Sequence, residues 1–420
     1  MLRNYFYSLI GKHLRFYCND YGNVASVKDI DSERASFFGL NLNQKMWTSN
    51  SQNISRVISE GDVHFQDCLI DYFKNLHIKM NHESRLIITY YSNLWKIPLI
   101  LASLLGFRKN TPEQNWVTPE DIANLLYLSD FQVISEEKRI IIPFNIPYIS
   151  DFINRFIAPL FPFNHLCLMN IAVARPLHSN SDLKSVSVVV AARNEAGNLE
   201  DLIQRTPLMG NDELIIIEGN STDNTWEVLQ DLIKKFPDKN IKIAQQDGVG
   251  KGDAVRKGFA MASKDILMIL DADMTVPPED LPKFYEAIKS GKGEFINGSR
   301  LVYPMEGNAM RFFNLLGNKF FAMAFSYVLK QNLKDTLCGT KVISKKNYEL
   351  LIKNRLYFGN FDPFGDFDLI FGASKMSLKI VEIPIKYRDR LYGETNISRW
   401  KHGWLLLKML KFSAGKIKFL

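Results

Sequence analysis

The chain has 420 residues, of which 46% are apolar and 23% are charged, and its formal net charge is +7. This composition excludes a wholly disordered or fibrous protein, and the length favours two folding units. The positive charge favours anionic partners, namely nucleotide phosphates, acidic lipid head groups or nucleic acid. The four cysteines lack the paired short spacings of a zinc site or a disulfide framework, so we expect reduced thiols.

The residues up to 178 predict a small mixed α/β unit. Its predicted elements are a strand over 85–91, helices over 95–105 and 118–128, and a strand-like series over 131–143. The polar run 178–182 predicts a linker, which divides the chain into domains 1–178 and 183–420.

After the linker, short apolar strands alternate regularly with helices. The predicted strands are 186–191, 213–217, 241–244 and 266–270, and the helices between them are 198–205, 225–236 and 252–262. Such alternation predicts an α/β fold with a mainly parallel sheet covered on both faces. Ligands of such sheets bind at the carboxyl ends of the strands.

The strand 266–270 leads directly into Asp271-Ala272-Asp273. Two carboxylates at the mouth of a sheet could bind one divalent cation together with substrate phosphate oxygens. Alone, the pair could equally cap a turn. Three polar or glycine-rich loops at neighbouring strand ends favour a nucleotide site: Ala191–Glu195, Glu218–Thr225 and Gly248–Ala254. The spacing of the last loop fits neither a Walker phosphate loop nor a dinucleotide fingerprint.

These segments resemble the inverting glycosyltransferase family 2, of GT-A fold, over Val186–Leu420, and within it the dolichol-phosphate mannosyltransferase and polyprenyl-phosphate branch. The resemblance implies a GDP- or UDP-linked sugar as donor, with Mg²⁺ or Mn²⁺ held by Asp271 and Asp273. The donor-binding residues it implies are Ala192, Arg193, Asn194, Glu195, Glu218, Asn220, Ser221, Asp247, Lys251, Gly252, Asp271, Ala272 and Asp273. The family usually has an Asp pair where this chain has Glu218 and Gly219, so the sequence leaves the donor open.

The same resemblance implies an acceptor phosphate bound by arginines, for which the candidates are Arg300, Arg311 and Arg390. Each could instead form a structural ion pair. Asp366 and Asp368 are candidates for acceptor handling or for a general base, with helix capping as the alternative. Other branch members continue Gly-Glu-Ser-Lys, whereas this chain has Gly-Glu-Thr-Asn at 393–396, so one cation is missing near the acceptor.

Residues 337–341 resemble the loop that closes over the donor in this family. Cys338 within this loop would be a nucleophile only in a covalent mechanism, and packing is the alternative. The carboxyl-terminal run from Arg399 to Phe412 has aromatic, aliphatic and basic residues at helical spacing. It predicts a helix that lies in an anionic membrane surface or, alternatively, faces a core. With residues 312–329 it offers two places for a lipid chain.

Neither of the two most apolar segments, 156–174 and 312–329, is uninterrupted enough to predict a membrane span, and the first residues do not predict a secretory signal. We therefore expect a cytoplasmic protein, peripheral at the inner membrane face.

The stretch 59–176 resembles the carboxyl-terminal half of a class I S-adenosylmethionine methyltransferase. Because the strand and Gly-x-Gly loop that would bind the cofactor are missing, we expect a degenerate domain that binds no S-adenosylmethionine.

The leading hypothesis from the sequence is thus a metal-dependent hexosyltransferase that glycosylates a polyprenyl phosphate. A saccharide or lipid hydroxyl in cell-envelope polysaccharide or glycolipid synthesis is the alternative acceptor. A catalytically inactive binding protein is the non-enzymatic alternative, and no nucleic-acid partner is expected.

Overall fold

The computed structural model describes residues 2–18, 23–27, 36–40, 54–108, 111, 115–178, 183–303, 312–357, 365–388 and 399–420. The chain divides into two compact units. The first comprises Met1–His178 together with Gly415–Leu420, and the second comprises Ser179–Ala414.

The first unit is built on a mixed five-stranded sheet. Its main elements are α1 (Leu2–Cys18), β1 (Asn23–Ser26), β2 (Ile54–Glu60), α2 (Leu69–Lys79), β3 (Arg85–Tyr91), α3 (Lys96–Leu104), α4 (Pro119–Tyr127), β4 (Phe131–Arg139) and β5 (Met169–Pro176). The strand order is β1-β2-β3-β5-β4. The first three strands are parallel, whereas β5 runs antiparallel to both β3 and β4.

The sequence predicted four of these nine elements from local signals, namely β3, α3, α4 and β4. The Thr118 side chain accepts a hydrogen bond from the Asp121 backbone N–H, and Asp121 accepts one from the Thr118 backbone N–H. This capping box fixes the start of α4 where the N-cap pattern placed it. The strand β4 ends at Arg139, four residues before its predicted end, because Ile140 has a φ of 67° that interrupts the extended backbone.

The second unit contains a seven-stranded sheet with helices between its strands. Its elements are β6 (Val186–Ala192), α5 (Leu199–Arg205), β7 (Glu213–Glu218), α6 (Thr225–Lys235), β8 (Ile241–Gln245), α7 (Lys251–Met261), β9 (Ile266–Asp271), α8 (Leu281–Lys289), β10 (Phe295–Ser299), α9 (Phe312–Leu329), β11 (Lys341–Ser344), α10 (Lys345–Lys353), α11 (Asp366–Lys375), β12 (Ile380–Pro384) and α12 (Arg399–Ser413). The strand order is β12-β10-β11-β9-β6-β7-β8. Only β11 among these strands is reversed, so the mainly parallel α/β sheet is confirmed.

Alternate residues of the central strands bury against helices on opposite faces of this sheet. Val188 and Val190 belong to a core with the apolar sides of α5, α6 and α8. Val189 points the other way, where a Cβ on Gly258 of α7 would lie 2.3 Å from its side chain. The strands are therefore continuous apolar runs because both of their faces are covered.

No helix in the described ranges is both long enough and apolar enough to cross a membrane. The helix α9 coincides with the apolar segment 312–329 of the sequence. In α12, Leu406 and Met409 are buried while Trp404 and Leu407 are exposed, so this helix presents apolar side chains on a packed side and on an open one.

A buried carboxylate fastens the start of β7 to its neighbours. Glu213 accepts hydrogen bonds from Ser187 Oγ at 2.6 Å and the Ser263 N–H at 2.6 Å, and its Oε2 lies 2.7 Å from Lys242 Nζ. Burial opposes ionisation, but these partners outweigh it and lower the pKa of Glu213 to about 2. The carboxylate therefore stabilises the folded unit at neutral pH.

We expect Glu213→Gln to lower the free energy of unfolding at pH 7 by about 3 kcal/mol, since the pKa of this group is lower in the folded chain than in the unfolded one. A carboxylate whose pKa is lowered by folding stabilises the folded state at pH values above its unfolded-state pKa. This stabilisation is lost as the pH falls to the folded-state pKa. The difference between variant and wild type should therefore shrink between about pH 4.5 and pH 2. Urea unfolding at pH 7 and pH 3 measures it. Glu200→Gln, at an exposed ion pair, is the control, with a loss of about 0.5 kcal/mol or less; an equal loss in both variants would contradict the prediction.

Candidate functional site

The carboxyl ends of three adjacent parallel strands bring the predicted donor loops to one edge of the sheet. In the strand register Ala191 of β6 pairs with Asp271 of β9, and Ala192 pairs with Glu218 of β7. Glu218 and Asp271 therefore flank the end of β6 on either side. This is the position at which α/β sheets bind ligands.

Left-handed backbone residues follow all three strands. Asn194 after β6, Asn220 after β7 and Met274 after β9 have φ values of 56°, 53° and 58°. Asparagine adopts this conformation more readily than other non-glycine residues, whereas methionine adopts it rarely. The backbone at Met274 is therefore held by the surrounding structure, as is common at functional sites.

The first two loops are fastened to each other by hydrogen bonds. The Asn194 N–H donates to Ser221 Oγ at 3.0 Å, and Asn194 Oδ1 accepts from the Thr222 N–H at 2.8 Å. Glu218 accepts from the Ser221 N–H at 2.5 Å and from Gln245 Nε2 at 3.1 Å. Burial would raise the pKa of Glu218, but these hydrogen bonds outweigh it and hold the pKa below its ordinary value. Both oxygens of this carboxylate thus hold the loop together.

Asp271 at the end of β9 is paired with Lys251, the first residue of α7. Lys251 Nζ lies 2.7 Å from Asp271 Oδ1. Burial opposes ionisation of Asp271, but Lys251, with Arg300 and Lys341 farther away, outweighs it and holds its pKa below the ordinary value. Asp273 Oδ1 accepts hydrogen bonds from the Thr275 N–H and, at 2.7 Å, from Thr275 Oγ1.

This pair of carboxylates fits a divalent cation that completes its coordination shell with other ligands. Asp271 is anionic at neutral pH, and carboxylate oxygens are the ligands that Mg²⁺ and Mn²⁺ favour. Within the part of the chain that the structure describes, no three His, Cys, Asp or Glu side chains are grouped to hold a metal by themselves. Two carboxylates leave most positions of an octahedral ion to water and to phosphate oxygens.

Gly339, just before β11, lies directly against the Asp271 carboxylate. A Cβ added to Gly339 would lie 2.0 Å from Asp271 Oδ2, so only glycine allows the loop to approach this carboxylate. The first turn of α7 also approaches another segment closely. A Cβ on Gly252 would lie 2.9 Å from Gly365 Cα, and Gly365 itself has a φ of 76°.

Arg300 is held by a buried carboxylate that the sequence analysis did not identify. Its Nε and Nη2 lie 2.6 and 2.8 Å from the two oxygens of Asp335, and the guanidinium stacks over the ring of Tyr387 at 5.1 Å. Asp335 is fully buried, and the adjacent guanidinium outweighs burial and lowers its pKa. Arg300 thus belongs to a structural ion pair and also adds positive charge near Asp271.

Asp368 is paired with Arg355 at the end of α10. Arg355 Nη2 lies 3.0 Å from Asp368 Oδ2, and the Asp368 side chain is 12% exposed. Burial raises the pKa of Asp368, and Arg355 and Arg256 oppose it. The backbone of Asp366 begins α11 beside the Gly252–Gly365 contact. The Asp366 side chain, Arg311 and Arg390 lie outside the described parts of the structure, as do residues 393–396.

The remaining predicted donor residues differ in burial. Glu195 is buried, accepts from Asn198 Nδ2 at 2.6 Å and orders its loop. Arg193 is exposed at the strand end. Asp247 is 82% exposed, and its Oδ1 lies 2.7 Å from Lys257 Nζ. Asn220 Nδ2 reaches the Gly248 carbonyl at 3.5 Å, which links the second loop to the third.

Cys338 is a packing residue. It is fully buried, a Cβ on Gly298 would lie 2.6 Å from its Sγ, and burial together with Asp335 raises its thiol pKa to about 12. A thiol in this environment is protonated and inaccessible.

We therefore expect alkylation of the native protein at pH 8 to modify exposed Cys68 and to leave Cys338 intact. Peptide mass spectrometry after brief iodoacetamide treatment measures both in one sample, so Cys68 serves as the internal control. Labelling of Cys338 at the rate of Cys68 would contradict the burial seen here.

Residues 187–351 match the family model described as "Glycosyl transferase family 2". This match covers the three strand-end loops, Asp271 at the end of β9 and Asp273 after it. This region of the chain is therefore similar to glycosyltransferase family 2. The mixed α/β fold with a mainly parallel sheet, which the sequence predicted, is compatible with this similarity.

Curated relatives resemble the glycosyltransferase domain. A "Dolichol-phosphate mannosyltransferase" from Pyrococcus furiosus is 35% identical over 217 residues, which are 50% of this chain and 59% of the relative. A "UDP-N-acetylglucosamine--dolichyl-phosphate N-acetylglucosaminyltransferase" from Methanococcus voltae is 24% identical over 56% of this chain and 98% of its own length. The chain thus spans less than two thirds of the Pyrococcus protein.

Among solved structures, glucosyl-3-phosphoglycerate synthase from Mycobacterium tuberculosis, in complex with Mn²⁺, uridine diphosphate and phosphoglyceric acid, superposes with a TM-score of 0.41. It is 17% identical and covers 56% of this chain and 79% of that chain.

The glycosyltransferase domain also has site residues that the sequence analysis missed. Asp335, Thr275 and Tyr387 surround Arg300 and Asp273, and Lys341 is buried with its Nζ 2.9 Å from Asn297 Oδ1. They come from segments far apart in the chain, so spacing alone could not have grouped them. The residues around Asp335 and Lys341, 331–341, are mainly polar, so no local pattern set these two apart.

Proposed function

We propose that this enzyme is an inverting, metal-dependent glycosyltransferase that moves a sugar from a nucleotide sugar to a polyprenyl phosphate at the cytoplasmic face of a membrane. The observation that carries the proposal is the pair Asp271 and Asp273 at the end of β9, with Lys251 beside it. Relatives whose names give a dolichyl or undecaprenyl phosphate acceptor support the choice of acceptor.

The donor end of the proposed reaction uses the strand-end loops. The nucleoside would lie against the first two loops, which Asn194 and Glu218 hold in place. The amino terminus of α7 begins at Lys251, and helix amino termini with a cation bind phosphate oxygens well. Asp271 and Asp273 would hold a divalent cation, which would neutralise charge on the leaving diphosphate.

The environment of the candidate general base supports a phosphate as the acceptor. An acceptor phosphate is already anionic and attacks the anomeric carbon without a base, whereas a hydroxyl must lose its proton. The described candidate base, Asp368, is largely buried and paired with Arg355. This pairing favours a phosphate acceptor over the alternative, a saccharide or lipid hydroxyl.

Cations for the acceptor phosphate are available near the carboxylate pair. A cavity of about 420 Å³ has in its lining four cationic and two acidic side chains: Arg205, Lys283, Lys386, Arg388, Glu279 and Asp280. The Arg388 N–H donates to the Thr275 carbonyl at 3.0 Å, which connects this cavity to the loop that carries Asp273. Since Arg300 is paired with Asp335, Lys386 and Arg388 join Arg311 and Arg390 as candidates for this role.

An exposed apolar surface is also available to bind the lipid chain of the acceptor. One side of α9 exposes Leu316, Phe320, Met323 and Tyr327, which lie on one face because they are spaced by three or four residues. The helix packs against α12, whose Trp404 and Leu407 are exposed as well. Such surfaces support action at a membrane.

For the first unit we propose a degenerate methyltransferase-like domain that binds no S-adenosylmethionine. The proposal rests on the resemblance of residues 59–176, and a mainly parallel sheet with one reversed strand, β5, next to its edge is compatible with it. Calorimetric titration with S-adenosylmethionine should give no heat of binding. Stoichiometric binding would overturn the proposal.

The deciding experiment incubates the purified chain with a panel of radiolabelled nucleotide sugars, with and without undecaprenyl phosphate, and with Mg²⁺, Mn²⁺ or a chelator. We expect lipid-extractable label only when both the metal and the lipid phosphate are present. Transfer that persists in the chelator would refute the metal requirement, and label found only in a soluble saccharide would favour the hydroxyl acceptor.

A further inference from the structure

The first unit has a helix that buries none of its residues. In α3 and the turn after it, Ile97, Leu104, Leu105 and Phe107 are 69%, 77%, 69% and 75% exposed. Ile100 and Leu101 are exposed too. A helix of a globular protein normally turns its apolar side inwards and its charged side outwards. Here the apolar side chains face outwards, which costs free energy in water.

A second apolar segment adjoins this helix within the same unit. Trp95 Nε1 donates a hydrogen bond to the Leu166 carbonyl at 2.9 Å, and the Ser92 N–H donates to the Leu168 carbonyl at 2.8 Å. The segment before Leu168 exposes Phe161, Phe163 and Leu166. We call the exposed residues of both segments the apolar surface: Leu94, Ile97, Ile100, Leu101, Leu104, Leu105, Phe107, Phe161, Phe163 and Leu166.

The charged residues next to α3 in the sequence have one sign. No acidic residue occurs between Arg85 and Pro112, whereas Lys96 precedes the apolar turns and Arg108 and Lys109 follow them. Arg108 lies over the ring of Tyr91 at 5.6 Å, and Trp95 lies at the base of the helix. Aromatic and basic residues that flank an apolar segment are typical of helices that enter the interface of an anionic bilayer.

The composition of α3 favours a bilayer over a protein as the partner of this surface. A groove in another protein covers one side of an amphipathic helix and leaves a polar side in water. The most exposed side chains of α3, Ile97, Leu101 and Leu104, share one face of the helix, and the only polar residue within 97–104 is Ser103, which is half-buried. The helix therefore has no strongly polar side to leave in water, which favours a bilayer, and its nine residues are far too few to span one.

We propose that α3 and the adjoining apolar surface dock the first unit on an anionic lipid bilayer by inserting into its outer region. This role rests on the proposed function, because a lipid-linked acceptor is what would bring the chain to a membrane. Docking gives the first unit a role that needs no methyltransferase cofactor: it keeps the enzyme on the surface where a lipid-linked acceptor resides.

The test is co-sedimentation of the full chain with phosphatidylcholine vesicles that contain or lack phosphatidylglycerol, without any nucleotide sugar. We expect wild type to sediment with the anionic vesicles and to be released in part by salt, because the basic flanks contribute. The double variant I97S/L104S should bind at least about tenfold more weakly, since it removes two large apolar side chains from the inserted helix.

The matched control is Ile78→Ser, which removes an exposed isoleucine from α2, 80% exposed and outside the apolar surface. It should bind vesicles like wild type. Circular dichroism checks that both variants are folded, which their exposed positions favour. A second variant, Trp404→Ser, separates the contribution of α12.

Two outcomes would overturn the proposal. One is vesicle binding that is absent in wild type or unchanged in I97S/L104S. The other is a wild-type dimer that this variant converts to a monomer with no change in vesicle binding, which would make a second copy of the chain the occupant. The proposed function is tested separately, by transfer to an acceptor solubilised in detergent, where I97S/L104S should keep wild-type activity.

Discussion

Replacing Asp273 with asparagine should lower the rate of sugar transfer by about 10²- to 10³-fold, which is the size of effect expected when a charge-stabilising group is lost from an active site. Asparagine keeps a carbonyl oxygen that can accept the two hydrogen bonds from Thr275, so the loop should keep its conformation. Initial rates at saturating metal, together with thermal unfolding, measure the effect and check the fold.

The control for this variant is Asp231→Asn, a highly exposed carboxylate of α6 that forms only a surface ion pair with Lys234. It should leave transfer unchanged. If Asp273→Asn instead retained activity within about threefold of wild type, the carboxylate pair could not be the centre of charge neutralisation.

Gly339→Ala should reduce transfer by about 10²-fold while the chain still folds. The added Cβ would lie 2.0 Å from Asp271 Oδ2, so either the loop or the carboxylate must move. A displacement of about 1 Å at a reacting centre is enough for a loss of this size. Because the backbone at Gly339 is not left-handed, alanine introduces only this steric conflict.

Gly317→Ala is the matched control, because a Cβ there meets no atom within 4 Å. In the middle of α9 alanine should leave transfer unchanged and raise the free energy of unfolding by up to about 1 kcal/mol. Parallel assays of the two glycine variants separate a specific clash from a general effect of alanine. Equal activity in both would show that the loop can move away from Asp271 at little cost.

The strands of the donor side could be predicted almost to the residue. Their apolar runs are buried on both faces, and each ends where polar residues meet water, so local pattern and tertiary structure agree. The three loops were predicted to meet for the same reason, since parallel neighbours end at one edge of a sheet.

Other parts of the site could not be predicted, because they depend on how distant segments pack. The reversed strand β11 brings Gly339 against Asp271, and nothing in a four-residue strand specifies its direction. Arg300 was selected for its charge, but its partner Asp335 is 35 residues away in sequence. The exposure of α3 could not be predicted either, because an apolar helical segment in a sequence normally indicates a buried helix.

The contact between Gly252 and Gly365 limits how the acceptor preference of this enzyme could be re-engineered. Each glycine leaves no space for a Cβ on the other, so the donor loop and the start of α11 touch through backbone alone. Libraries that vary the acceptor side should therefore hold position 365 fixed and begin at Asp366. A designer who moves α11 by an insertion before it would also shift Lys251, and would change donor binding without having altered a donor residue.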